Sequence, residues 1–252
     1  MKNKIGWCNM TFNPTWGCLN NCPYCYSRRM AKWLAKSTAI TEAFYLSRNK
    51  LINQNEIEVI LNIRNNIEKK IKNFEPIFLE SKFNKEFPQK AQKIFVGSMS
   101  EIKFWKREWL SKVFEKMEGY PQHVFQFLTK YPYIYYLFEF PAKSWLGFTA
   151  TTNKDLANNV PPIENLRNYC LTGKYLYFLS IEPIIEEINP LGILFVDWVI
   201  LGAETGNRKG KIIPKKEWIE NIVNYCRKDK IPVYLKDSLK DIYSEEIKEF
   251  PI

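Results

Sequence analysis

The chain has 252 residues, 46% of them hydrophobic, enough for one large domain with a substantial core, and it is read as a single unit over 1–252. No apolar run approaches the ~18–20 residues that cross a bilayer, and MKNKIGWCNM at the start has lysines but no apolar stretch behind them, so a cytoplasmic protein without a membrane span or secretory leader is expected. The net charge of +10 suits a polyanionic partner such as nucleic acid, although a lysine-rich proteome gives the same balance.

In chain order, a short first strand is expected near residues 9–13, closed early by Pro14. Cys18, Cys22 and Cys25 follow, three of the six cysteines in one short stretch. Residues 38–72 carry Ile57, Ile60, Leu61, Ile67 and Ile71 at helical spacing and read as a helical insertion. Residues 73–92 contain Pro and Phe and look irregular, packing across the fold. Then come six short, nearly continuous apolar runs: KIFVGS (93–98), HVFQFLT (123–129), SWLGFTA (144–150), YLYFLSI (175–181), DWVILGA (197–203) and PVYLKD (232–237). Such runs suit strands buried on both faces of a parallel sheet. Between them, 106–119 places Trp109, Val113, Phe114 and Met117 on one helical face, and 214–230 does the same with Trp218, Ile222 and Tyr225. The last strand and a tail occupy about 231–252. Alternating strands and helices predict an α/β fold with right-handed crossovers.

Ligands of parallel α/β folds sit beyond the carboxyl ends of the strands. The residues just after the apolar runs are small hydroxyls, carboxylates and lysines: Ser98, Ser100 and Glu101; Lys130; Thr149 and Thr151; Glu182; Glu204; Lys236. Taken singly, each reads as an ordinary turn residue, except Glu182 and Glu204, whose place at the end of a long apolar run favours a functional role. Taken together, they make a rim suited to a polar ligand with both an amine and a carboxylate.

Six cysteines in this length are too few for a disulfide scaffold, and a tight cluster in a reducing compartment reads as a metal or redox site. Cys8, Cys170 and Cys226 are scattered and read as small buried hydrophobes. A structural zinc site wants four ligands. The chain offers C-x3-C-x2-C and one histidine, His123, at the start of an apolar run; Cys8 would be a fourth ligand without a partner. Three close thiols and no fourth fit a [4Fe–4S] cluster with one open iron.

Cys18, Cys22 and Cys25, with Tyr24 before the last, resemble the radical S-adenosylmethionine (SAM) superfamily. FNPTWGC, CPYCYSRRMA, KIFVGSMSE, FQFLTKYP, WLGFTATTN, YFLSIEP, DWVILGAETG and IPVYLKD together resemble a phage-associated family of unknown function related to those enzymes, over residues 7–237. The resemblance implies a partial (β/α)6 TIM-like barrel, open on one side. It also implies a [4Fe–4S] cluster held by Cys18, Cys22 and Cys25, with SAM chelating the fourth iron. Cleavage of SAM would give a 5′-deoxyadenosyl radical that abstracts hydrogen from a substrate, with flavodoxin or ferredoxin as electron donor. By the same resemblance Tyr24 lies near the adenine, and Ser98 and Ser100 near the methionyl amine. There Gly97-Ser98-Met99-Ser100-Glu101 stands in place of the usual Gly-Gly-Glu. Thr149 and Thr151 approach the ribose or carboxylate, Glu182 and Glu204 reach SAM or substrate, and Lys130 and Lys236 face the substrate or the SAM carboxylate.

The substrate stays open. Arg28, Arg29, Lys32 and Lys36 follow the cysteines, and Arg208, Lys209 and Lys211 follow Glu204. They suit phosphates, and a nucleic acid or nucleotide, as well as they suit a solvated surface. A small metabolite or peptide is the second reading, and a non-catalytic iron–sulfur or zinc protein the third. Salt-sensitive binding separates the first from the second, and absence of SAM cleavage marks the third.

Overall fold

A computed structural model describes residues 5–49, 57–169 and 174–251. In chain order the elements are β1 (Met10–Phe12), β2 (Thr15–Trp16), α1 (Tyr26–Arg48), α2 (Ile57–Asn73), β3 (Ile77–Phe78), α3 (Glu80–Phe83), β4 (Lys93–Val96), α4 (Arg107–Glu118), β5 (Val124–Thr129), β6 (Ser144–Thr149), α5 (Asn153–Tyr169), β7 (Leu176–Ile181), β8 (Trp198–Leu201), α6 (Lys216–Lys228) and β9 (Val233–Leu235).

Seven strands form one sheet in the order β1-β4-β5-β6-β7-β8-β9, every neighbouring pair parallel. The parallel sheet is the one expected from the six apolar runs and the short first strand, and it curls into a half-barrel, the open barrel that the resemblance implied. Because all seven strands point the same way, Phe12, Val96, Thr129, Thr149, Ile181, Leu201 and Leu235 end on a common rim. The free edge of β9 is covered by the tail: Leu235 N donates to Ile247 O at 2.8 Å and Glu249 N to Val233 O at 3.0 Å. That return path satisfies backbone groups that an open edge would expose.

Side chains alternate between two cores. Outward residues such as Phe125, Phe127, Leu146, Phe148, Leu179 and Val199 meet Leu110, Val113 and Met117 of α4 and Ile219, Ile222 and Val223 of α6. Inward residues Phe95, Phe178, Trp198, Ile200 and Tyr234 fill the barrel with Trp7 and Cys8. Gly147 makes room for them, since a Cβ there would stand 2.3 Å from the Phe178 ring.

The helical segment differs from expectation in where it begins. The first helix does not start near residue 38; it grows out of the cysteine loop at Tyr26 and runs 23 residues. It then packs antiparallel on α2, with 50–56 outside the described residues. Ala31, Ala35 and Ala39, spaced four apart, are fully buried against Ile67 and Ile71 of α2. Small residues on one face let the two helices approach closely. Residues 73–92, expected to be irregular, contain β3 and α3; Thr15 pairs with Phe78 and Trp16 with Ile77 in a two-stranded antiparallel ribbon. Cys170 lies outside the described residues.

Candidate functional site

The cysteine loop is laid over the rim by a set of backbone constraints. Gly17, at φ +105°, donates to Met99 O at 3.0 Å, and a Cβ on it would lie 2.2 Å from Glu75 O. Only glycine fits that passage. Cys18 N then donates to Phe74 O at 2.9 Å. Cys25 N donates to Cys22 O at 3.1 Å, and Cys25 Sγ accepts from Arg28 N at 3.4 Å, so a proposed ligand also caps α1. Arg28 reaches back to Cys18 O at 3.1 Å.

From there the loop and the first turn of α1 touch several strand ends in succession. Ser27 Oγ and the Tyr26 hydroxyl donate to Ser98 O, beyond β4, at 2.8 and 3.2 Å. Lys130, beyond β5, donates to the Tyr24 hydroxyl at 3.2 Å, and the Tyr131 hydroxyl donates to Asn20 Oδ1 at 2.6 Å. The Arg29 guanidinium lies against Gly206 beyond β8. Cys18, Cys22, Tyr24 and Cys25 are all half-buried here. The three thiols are free of disulfides. Burial, with Glu101, Cys22 and Cys25 nearby, pushes the Cys18 thiol up to about 11.

The remaining rim residues fall into three groups. Ser98 Oγ and Met99 N both donate to Asn13 Oδ1, at 3.1 and 3.2 Å, while Ser100 Oγ accepts from Trp105 Nε1 at 3.0 Å. Glu101 is buried and accepts from the Thr129 hydroxyl and, at 3.0 Å, from Lys130 N. Its burial raises its pKa against those hydrogen bonds. Lys130 loses some basicity to burial, but Tyr24, Cys22 and Asp155 outweigh this and keep it charged.

Thr151 gives both its N–H and its hydroxyl to Asp155 Oδ2, at 2.9 and 2.8 Å. Thr152 and Asp155 exchange bonds as well: Asp155 N donates to Thr152 Oγ1 at 3.0 Å, Thr152 N to Asp155 Oδ2 at 3.1 Å. That reciprocal pair is a capping box at the start of α5. Thr149 is buried, and its carbonyl accepts from Asn159 Nδ2 at 3.1 Å.

Glu182 and Lys236 form an ion pair across the top of β7 and β9, still partly open to solvent. Gly202 lies close between them: a Cβ there would stand 3.1 Å from both Glu182 Cγ and Lys236 Cδ, so any larger residue would have to shift the pair slightly. Glu204 is buried and held by two bonds of 2.7 Å from Arg208 Nε and Nη2. Arg208 keeps the Glu204 carboxyl below the usual carboxylate range. Arg208, expected on a phosphate-binding loop, is therefore committed to Glu204.

The alternative ligands lie elsewhere. Cys8 precedes β1 in the inner core, and Cys226 is fully buried on the inner face of α6. His123 is buried at the opposite end of β5, where its Nδ1 accepts from Gln92 N at 3.1 Å among Phe87, Tyr120 and Phe125. Among the described residues, no three His, Cys, Asp or Glu side chains converge as a single metal ion requires. Among the described residues the donor set is three thiols on one loop with no fourth cysteine beside them, one ligand short of a structural zinc site and equal in number to the thiols that would hold a cubane with one open corner.

Asn13, Asn20, Tyr131 and Asp155 hold the site together and were not read from the sequence. Only Asp155 had a local signal, the Thr-x-x-Asp spacing before a helix.

The fold and site thus define a half-barrel α/β protein with a three-cysteine loop at the carboxyl ends of its strands. The chain belongs to the family described as protein of unknown function (DUF5131), whose sequence profile covers residues 2–244. No curated protein and no solved structure matches it. Among the described residues, no helix is long and apolar enough to cross a membrane.

Proposed function

We propose that this protein is a radical SAM enzyme. The carrying observation is the cysteine loop itself: three thiols with no fourth beside them among the described residues, fixed over a parallel-strand rim where the Glu182–Lys236 pair stands. Cys18, Cys22 and Cys25 would hold a [4Fe–4S] cluster. When bound, the cluster and SAM supply reductive cleavage of the sulfonium to methionine and a 5′-deoxyadenosyl radical, which takes a hydrogen atom from the substrate.

The chain's own residues bind, orient and exclude water. Tyr24, fixed by Lys130, offers an aromatic face beside the thiols. The Ser100 hydroxyl, which accepts from Trp105 Nε1 and keeps a second lone pair, stands after β4 for an ammonium. Glu182 and Lys236 present opposite charges to an amino-acid moiety. Thr149 and Thr151, at and just beyond the end of β6, would shape the floor of the site, Thr151 through its tie to Asp155. Glu204, locked by Arg208, acts on the position of the β8 loop. The aromatic interior below the rim keeps water from reaching the site through the barrel.

The test is anaerobic. The protein is reconstituted with iron and sulfide, reduced with dithionite and given SAM, and 5′-deoxyadenosine is measured for wild type and Cys22→Ala. Product that depends on Cys22 supports the reading. Zinc in place of iron in anaerobically purified protein overturns it.

A further inference from the structure

The chemistry above uses only the first turn of α1. The inner face of this helix is small and buried: Ser27, Ala31, Ala35, Thr38, Ala39, Glu42 and Ala43. Its outer face is not the polar surface that a solvent-facing helix normally presents. Tyr26, Met30, Trp33, Ile40 and Phe44 recur there at alternating spacings of four and three, with Ser37 filling the remaining place. Trp33 is 83% exposed and Phe44 66%.

Charge runs along one flank of that stripe. Arg29, Lys32 and Lys36, all exposed, each directly precede a stripe residue and so lie on the same side. The one acidic residue of α1, Glu42, is turned inward, where its carboxylate accepts from Glu80 N at 2.8 Å and Ser81 N at 3.0 Å. Glu68 of α2 comes near Lys36 but is already paired with Lys72 at 2.6 Å. The stripe starts at the rim, where Tyr26 meets Ser98 and Arg29 meets Gly206, and the exposed Lys209 continues the cationic surface beyond.

We propose that the outer face of α1 is a track for single-stranded nucleic acid, with bases stacked on Trp33 and Phe44 and phosphates along Arg29, Lys32 and Lys36. Stacking platforms beside a cationic rail are how unpaired strands are held without sequence preference. A duplex hides the base faces that such aromatics need. A second copy of the chain fits poorly, because it would set cationic flank against cationic flank with no exposed carboxylate on either helix. From Tyr26 to Phe44 the track is ~27 Å long, room for about eight nucleotides at a stacked rise of ~3.4 Å. The track delivers the strand to the rim, so as a statement about substrate it rests on the radical SAM reading; binding itself does not.

The experiment is fluorescence anisotropy of a labelled thymidine homopolymer with the full-length protein, in the absence of SAM and reductant. Affinity is expected to fall log-linearly with salt, and Lys32→Gln with Lys36→Gln to reduce that slope by about 1.4. Trp33→Ala weakens binding roughly tenfold and Trp33→Tyr restores it, a change expected to leave folding intact because the side chain is exposed. A duplex of the same length binds more weakly. Unchanged binding in a Trp33→Ala, Phe44→Ala double variant overturns the proposal, as does salt-independent binding or equal affinity for duplex. So does a dimer in sedimentation that the same two substitutions break, which would make the stripe a self-interface. Because SAM cleavage plays no part in this assay, failure of the 5′-deoxyadenosine test leaves its outcome standing, and the reverse also holds.

Discussion

Lys130 donates to the Tyr24 hydroxyl at 3.2 Å, and this bond ties the cysteine loop to the end of β5. The neighbouring Tyr131 makes a second tie, 2.6 Å from Asn20 Oδ1. Two adjacent residues on one strand end thus grip the loop both between Cys18 and Cys22 and between Cys22 and Cys25. Tyr131→Phe removes one neutral hydrogen bond and is expected to cost about 1 kcal/mol in urea unfolding. Combined with Lys130→Met, it frees the loop, and limited proteolysis should shift toward cleavage within residues 18–26. An unchanged digest would mean that the Gly17 and Cys18 backbone bonds hold the loop alone.

The thiols divide into two sets by environment. Cys18, Cys22 and Cys25 are half-buried at the mouth; Cys8 and Cys226 are buried, and burial pushes the Cys226 thiol up to about 12. Reactivity follows thiolate content and access. Iodoacetamide at pH 8 should therefore modify the half-buried loop cysteines before Cys226, which is labelled only after denaturation, and Cys18 should react slowly because burial keeps its thiol protonated. Reconstitution with iron and sulfide should protect all three loop cysteines together. Protection of only one or two of them would count against a shared cluster.

Six strands of the half-barrel were legible because each is a short apolar run that ends in polar residues; the first, Met-Thr-Phe, has no such run and was placed by its position before Pro14 and the cysteines. Two helices were less so. The start of α1 was hidden because Tyr26-Ser27-Arg28-Arg29 has no apolar period; its buried face is made of alanine and serine, which hydropathy does not mark. In α5, Pro161 and Pro162 remove two amide donors, and no helical run was marked between the third and fourth apolar runs. The helix continues because Leu156, Val160, Ile163 and Leu166 still form one buried stripe. In the site, the strand-end rule placed Lys130, Glu182, Glu204 and Lys236 on the rim, but not their partners. The Glu182–Lys236 pair joins residues 54 apart, and Asn13 serves Ser98 across 85, so no local pattern carries either contact.

Gly147 offers a test of the barrel interior. A Cβ at this position would stand 2.3 Å from the Phe178 ring, inside any tolerated contact. Gly147→Ala is therefore expected to destabilise the protein by about 3 kcal/mol through overpacking. Phe178→Leu opens a cavity on its own, yet it should partly relieve the clash. The double variant should be more stable than the sum of the two losses by at least about 1 kcal/mol. Strict additivity in urea unfolding would show that the ring has another place to go.

Asp155 links the site to stability through pH. Burial pushes its carboxyl up, but the hydrogen bonds from Thr151 and Thr152, helped by Lys130, outweigh this and hold it below the usual Asp range. A depressed folded-state pKa adds stability above the ordinary value of about 3.9, and that stability is lost as pH falls through the lower folded value. Asp155→Asn keeps the shape but gives up the charge at the capping box. At pH 7 it should cost about 1 kcal/mol, the scale of a lost helix cap. The gap between wild type and variant should hold at pH 5 and narrow toward pH 3, as wild type protonates and loses the advantage the variant never had. Urea unfolding at the three pH values measures it. A gap that widens in acid would mean that Asp155 is protonated in the folded state. Thr151 would then be held by a neutral acid, and Lys130 would face the mouth without this countercharge.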